Sequence, residues 1–354
     1  MTKPPPLDLS LPYLTAGLRG VGGRIRARPE DFMVEEVSLY EPSGNGSHLY
    51  VNITKVNQTT RDVQLQLAEL FNLKPQNIGT GGLKDKFSVS TQTFSILFEQ
   101  NVISSGEAME VIEGSLDVQV NWAKWHSNKF RAGHLIGNKF KVIITDIHKS
   151  KSQAIEKSKR IADMIHKRGL PNYYGAQRTG KHGKNVVDGW GILQGKRRFT
   201  DRWLNKLLIA SYQSYLCNRY LSERVRRGLF DTLIVGDVAK KHDTGGIFWV
   251  NDLADEQPRY IAQEISFTAP MFGFQMSEAL GESGALEAEI LEESEMPMKN
   301  FKRKKITGTR RLGRLIPRIE VSDSPRGIEL SFALHKGGFA TTLLREFMKN
   351  EPGG

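Results

Sequence analysis

The alternation of apolar residues near both ends of the chain constrains the fold most. Leu49, Val51 and Ile53 share one face of an extended segment. Phe140, Val142 and Ile144 do the same, as do Ile328, Leu330, Phe332 and Leu334 near the C-terminus. A period of two marks strands that bury one face. A further strand is expected near Thr93–Phe98, after a Gly-rich turn at Gly79–Gly82. Thr60 is expected to cap a helix reaching about Leu73, with Val63, Leu67 and Leu70 at helical spacing. Between the β-rich ends the pattern changes. Ser150–Arg168 is a Lys-rich helical stretch, with Gly169 as its stop and Pro171 just beyond. Residues 199–226 also read as helix. The simplest account is an α+β chain in which both ends form one discontinuous domain and a second domain is inserted between them. At roughly 100–200 residues per domain, 354 residues accommodate both.

Fifty Lys and Arg against 39 Asp and Glu leave a net charge of +11, which favours a polyanionic partner. No apolar run approaches the ~20 residues of a membrane span. The N-terminus, Met1–Leu11, is Pro-rich and polar, without the apolar core of a secretory signal. A cytoplasmic chain with no membrane partner is expected, and no obligate protein partner is evident. The single cysteine, Cys217, excludes an intrachain disulfide and reads as a buried thiol in an aromatic-rich helix. There is no His-x-x-x-His pair, no P-loop, no dinucleotide-type glycine fingerprint and no Gly-x-Ser-x-Gly elbow. No metal and no cofactor are expected.

Three segments could carry chemistry. In Gly81–Gln92, Asp85 follows a glycine pair, sits between Lys84 and Lys86, and precedes a strand. Glycines allow a tight turn and close approach of a ligand, and neighbouring ammonium groups favour an ionised carboxylate. Such a carboxylate can attack a sugar or stabilise a cationic sugar-like transition state. A solvated turn aspartate accounts for the same residues. In Pro171–Asn185, aromatics, glycines, amides and cations are mixed, which suits a loop against RNA or a loop with buried tyrosines. His182 alone carries little weight. Phe301–Arg318 holds Lys302, Arg303, Lys304, Lys305, Arg310, Arg311, Arg314 and Arg318 with no acid, a phosphate-tracking strip or a solvated basic face beside the acidic segment Glu282–Glu295.

Together these segments resemble the TruD family of pseudouridine synthases, over about Arg24–Lys349. Pro29-Glu30-Asp31-Phe32-Met33-Val34-Glu35-Glu36 is similar to the family's P-x-D-F-x-V-x-E opening. Gly82-Leu83-Lys84-Asp85-Lys86 looks like its catalytic G-x-K-D-[KR] motif. Arg131-Ala132-Gly133 with Gly137-Asn138-Lys139-Phe140, Asn172-Tyr173-Tyr174-Gly175 with Gln177-Arg178, and Gly338–Glu346 match its remaining motifs in order. The resemblance implies a bipartite mixed-sheet pseudouridine synthase catalytic domain at 1–168 and 317–354, with an inserted α/β TRUD-type domain at 169–316. It implies Asp85 as the catalytic residue. It implies Phe32, Asn138 and Phe140 as lining of a uracil pocket, with Arg26 as an anchor for Asp85 or for the RNA backbone. Asn172, Tyr173, Gln177, Arg178, Lys302, Arg310 and Arg311 are candidate RNA contacts. The implied substrate is tRNA, at uridine 13, without cofactor. Two departures stand out. Arg26 stands where relatives often have Lys, and Thr179 where they commonly have Phe. Other readings are the same chemistry on another RNA, an RNA-binding or RNA-remodelling protein without catalysis, and a glycosidase. The last would want a second carboxylate beside Asp85.

Overall fold

A 13-residue strand, Leu135–Ile147 (β7), organises the sheet that bears Asp85. The computed structural model describes residues 5–98, 103–148 and 150–350; Met1–Pro4 of the polar N-terminal stretch lie outside them. Before β7 come β1 (Gly22–Arg24), β2 (Phe32–Ser38), β3 (His48–Val56), β4 (Ile78–Thr80), β5 (Val89–Leu97) and β6 (Gln119–His126). The hairpin of Ile319–Ser324 and Gly327–His335 completes the sheet. Its order is Ile319–Ser324, Gly327–His335, β7, β2, β5, β3, β6, with β1 paired to β7 and β4 to β5. The β2–β5 pair is parallel and its neighbours are antiparallel, so the sheet is mixed. The chain is therefore α+β, as the residue patterns imply.

The alternation fixes what faces where. Leu49, Val51, Ile53, Phe94 and Ile96 form one apolar surface. It buries Val63, Leu67 and Ala68 of α1 (Thr60–Leu70) and Ala108 and Ile112 of α2 (Ser105–Ser115). The α1 cap is Thr59, not Thr60. Thr59 and Asp62 form a capping box, which frees the Thr60 hydroxyl for another task. The second helix carries the same signature at Ser104 and Glu107, which periodicity alone passes over. The strand expected from Thr93 begins at Val89, directly after the Asp85 segment.

The described chain divides into two compact units. One comprises Arg19–Ala162, Arg318–Ala340 and Phe347–Gly354 and contains the mixed sheet. The other comprises Met1–Leu18, Asp163–Pro317 and Thr341–Glu346. These bounds differ from 1–168, 169–316 and 317–354 in a specific way, because residues up to Leu18 and the segment Thr341–Glu346 go with the central part of the chain. The Glu346 carboxylate accepts the Leu14 and Thr15 N–H groups and the Thr15 hydroxyl. Arg345 donates to the Leu11 carbonyl and lies 4.0 Å from the Tyr13 ring centre. Arg168 joins the Leu14 carbonyl to Asp231.

In this second unit, helix Arg202–Arg226 is buried on nearly all sides from Leu208 to Ser222. Such a helix forms the centre of a core rather than its edge. Cys217 is among its buried residues, and burial pushes its thiol up to about 11. Helix Lys184–Gln194 approaches so closely that a Cβ at Gly189 would meet the Leu208 carbonyl oxygen. A four-stranded antiparallel sheet runs Ile247–Trp249, Val238–Lys241, Ile265–Met271, Thr309–Leu312. Among the described residues no helix is long and apolar enough to cross a membrane.

Candidate active site

Phe32, Val34 and Glu36 alternate on β2 and face one way. Across the ladder, Phe32 stands opposite Val142, Val34 opposite Phe140, and Glu36 opposite Asn138. One strand further, Phe140 and Asn138 pair with Phe332 and Leu334. The face thus gathers Phe32, Phe140 and Phe332, with Asn138 and Glu36 at its end. Phe140 and Phe332 stack at 5.2 Å between ring centres, and Phe32 meets Phe140 edge-on at 6.1 Å. Met33, Glu35, Lys139, Lys141 and Ser331 alternate with these residues along the strands and line a furrow of about 480 Å³.

The Asp85 segment is held by its own backbone and by side chains distant in sequence. Gly81 is needed because a Cβ there would lie 2.6 Å from the Phe130 ring. The Gln92 side chain donates to the Gly82 carbonyl at 3.4 Å. The Lys84 N–H donates to Thr60 Oγ1 at 2.8 Å, and that hydroxyl donates to Gln92 Oε1 at 2.8 Å. The Lys84 ammonium pairs with Glu36, whose other oxygen accepts the Thr93 N–H at 3.1 Å. The Ser88 hydroxyl donates to the Asp85 carbonyl at 2.8 Å. Lys55 lies in the same region, 1% exposed, donating to Ser90 Oγ at 2.7 Å and to the Gln58 carbonyl at 2.5 Å.

These groups leave the Asp85 side chain about half exposed, at 51%. Its carboxylate pairs with Arg26, whose guanidinium carbon lies 4.2 Å from the centre of the Phe32 ring. Phe32 is buried, so Arg26 links the carboxylate to the aromatic face. Arg26 has φ 60°, in the left-handed region, a local cost of about 1 kcal/mol or more for a non-glycine residue. Asn138 Oδ1 is buried and has no hydrogen-bond partner among the described residues. Burial raises the Glu36 carboxyl above its ordinary value, against the opposing pull of Lys84. Burial and the nearby Lys84 charge bring Lys55 down to about 8.

The structure brings Arg26, Phe32, Asp85, Asn138 and Phe140 together in the first unit. The other named residues lie in the second unit and separate into surface and scaffold. Gln177 and Lys302 are exposed. Arg178 is half-buried, donating to Ser214 Oγ at 3.3 Å. Asn172 and Tyr173 are buried at 4% and 2%. The Asn172 amide donates to the Leu312 carbonyl, and its Oδ1 accepts from Arg311 at 2.6 Å. Arg310 is turned inward, its side chain 3% exposed, in an ion pair with Glu287 at 2.7 Å. Arg314 is buried as well, donating to the Tyr260 and Ile265 carbonyls. The basic segment 301–318 is therefore not one strip of solvent-facing cations. It enters the strand Thr309–Leu312, where Arg310 pairs with Glu287 and Arg311 donates to Asn172. Thr179 is buried and donates to the Ala176 carbonyl, closing its own turn.

Sequence reasoning passed over Thr60, Gln92, Lys55, Phe332 and the partnership of Glu36 with Lys84 as parts of the site. A signal existed for Glu36. It follows Phe32 and Val34 on the inward face of a strand, where a carboxylate needs a buried partner.

The family profile described as tRNA pseudouridine synthase D (TruD) matches residues 8–198 and 197–347. The chain belongs to the TruD family. A tRNA pseudouridine synthase D from Thermus thermophilus is 41% identical over 341 residues, spanning 96% of this chain and 92% of that protein. One from Anaeromyxobacter dehalogenans is 38% identical, spanning 96% and 97%. A crystal structure from Methanosarcina mazei assigned to TruD superposes with a TM-score of 0.79, covering 98% of this chain and 97% of that one at 23% identity, which carries the fold alone. Against the TruD motifs, the opening Glu and the Lys of the G-x-K-D segment are the two halves of one buried ion pair, Glu36 with Lys84.

Proposed function

We propose that this protein isomerises uridine to pseudouridine in tRNA, at position 13, with Asp85 as the catalytic carboxylate and no cofactor. The observation that carries the reading is a half-exposed carboxylate on a tightly held loop, paired with Arg26 beside an aromatic face. The N1–C1′ bond of uridine breaks, the uracil turns, and C5 bonds to C1′. One proton leaves C5 and one is gained at N1, so the product is an isomer. The target base is turned out of the RNA stack to reach Asp85. It packs against Phe140, and Asn138 Oδ1 accepts its imide N–H, satisfying a buried acceptor that otherwise has no partner among the described residues. Asp85 acts on the ribose. A primary isotope effect with 2′-deuterated uridine in single turnover assigns proton abstraction at C2′, and a trapped covalent adduct of Asp85 with C1′ assigns attack there.

Arg26 holds the Asp85 carboxylate in place beside the ring of Phe32. The second unit supplies RNA contacts through exposed groups such as Gln177 and Lys302. The test is a pseudouridine assay on unmodified tRNA transcript, wild type against Asp85→Asn, read by chemical labelling because the two nucleosides have equal mass. Conversion of one uridine by wild type, with binding but no conversion by the variant, is the expected result. Binding by wild type without pseudouridine on any RNA would replace this reading with that of an RNA-binding protein.

A further inference from the structure

The loop that carries Asp85 also carries two large apolar side chains in solvent. Leu83 is 83% exposed and Phe87 is 45% exposed, each two residues from Asp85 and on opposite sides of it. A single exposed leucine needs no explanation. A pair that brackets a catalytic carboxylate does, because the backbone between them is not loose. The Gly82 carbonyl, the Lys84 N–H and the Asp85 carbonyl are each hydrogen-bonded by a side chain, and the Lys84 ammonium is fixed on Glu36. Neighbouring Lys86 is also exposed and supplies a cation beside the apolar pair.

A base inside folded RNA reaches Asp85 only after leaving its stack, which costs unstacking energy. Removing one nucleotide opens a gap of about 7 Å, two steps of ~3.4 Å. Proteins that unstack nucleic acid commonly insert Leu, Phe, Ile or Met between bases. Leu83 and Phe87, two residues to either side of Asp85, place exposed apolar side chains of this kind next to the carboxylate.

We propose that Leu83 and Phe87 are the wedge of this enzyme. They occupy the stack vacated by the target uridine and pack on its flanking bases while Asp85 engages the ribose. They are positioning residues, and the inference rests on the isomerase reading above. It accounts for why a rigid loop keeps its apolar side chains in water in the free protein: their partner is the RNA.

The test uses the full chain and a tRNA with 2-aminopurine next to the uridine that wild type converts. Wild-type binding should raise the 2-aminopurine fluorescence as its neighbour leaves the stack. Leu83→Ala and Phe87→Ala should lose most of that rise and slow single-turnover conversion about tenfold, as loss of one stacking contact implies. Filter-binding affinity should stay within about twofold, since phosphate contacts dominate it. Leu83→Met, which keeps an apolar wedge, should retain the rise and the rate. A full fluorescence rise and wild-type rate in both alanine variants overturn the proposal. Slowing that follows weakened binding with the rise intact also overturns it, by making the pair an ordinary contact. If wild type makes no pseudouridine, the isomerase reading itself fails and the wedge with it.

Discussion

The Lys84 ammonium rests on the Glu36 carboxylate with side-chain exposures of 6% and 0%, one residue from Asp85 and 48 residues apart in sequence. A buried pair of this kind contributes little net stability over an apolar pair, but removing one partner strands the other charge. Glu36→Gln should therefore destabilise the first unit by about 3–5 kcal/mol. Denaturant unfolding of Glu36→Gln and of the double variant Glu36→Gln/Lys84→Met checks this, and the double variant should recover part of the loss.

Thr59 and Thr60 are adjacent and do different work. Thr59 caps α1, so Thr59→Ala should cost about 1 kcal/mol of stability and leave turnover nearly unchanged. Thr60 joins the Lys84 N–H to Gln92. Thr60→Val keeps the shape and removes both bonds, so it should cost about 1–3 kcal/mol and also lower the single-turnover rate. Equal rates in the two variants would show that the Thr60 relay does not position Asp85.

Arg26→Ala should lower turnover by about 100-fold, because Asp85 loses its partner and Phe32 its cover. Arg26→Lys keeps the charge and should recover most of that rate. Steady-state rates for the three proteins decide it.

Lys55 supplies a pH signature. Its ammonium titrates at about 8 in the folded protein against an ordinary 10.5, with Lys84, Asp62, Asp85 and Glu36 as the charges around it. Between those values the unfolded chain binds more protons than the folded one, so Lys55 contributes stability that increases with pH. Compared with Lys55→Met, the wild type should gain up to roughly 3 kcal/mol from pH 8 to 10.5, with no relative change below about pH 7. Paired unfolding curves across this range test the sign directly.

Two kinds of cation in segment 301–318 should separate by salt dependence. Lys302→Gln, at an exposed position, should reduce the slope of log affinity for tRNA against log salt by roughly 1 if it meets a phosphate. Arg310→Gln should leave the slope alone and lower stability instead, because its partner is the buried Glu287. A reduced slope for Arg310→Gln would mean that this side chain turns outward to meet RNA.

The sequence by itself determined the period-2 strands at both ends, the helical centre, and the identity of Asp85 within a recognisable motif. These are local signals, carried by alternation, by caps and by short runs of residues. Periodicity alone could not choose between Thr59 and Thr60 as the helix cap, although Asp62 three residues after Thr59 is the local mark of a capping box; the tertiary approach of Lys84 and Gln92 then gives the Thr60 hydroxyl its task. Nor could periodicity pair Arg26 with Asp85, 59 residues away, or bring Phe332 onto Phe140. Those contacts arise from the order and register of the strands. The same tertiary packing decided that Tyr173 and Arg310 face protein while Gln177 and Lys302 face solvent, a choice that composition leaves open because a basic or aromatic residue serves a core ion pair and an RNA surface equally well.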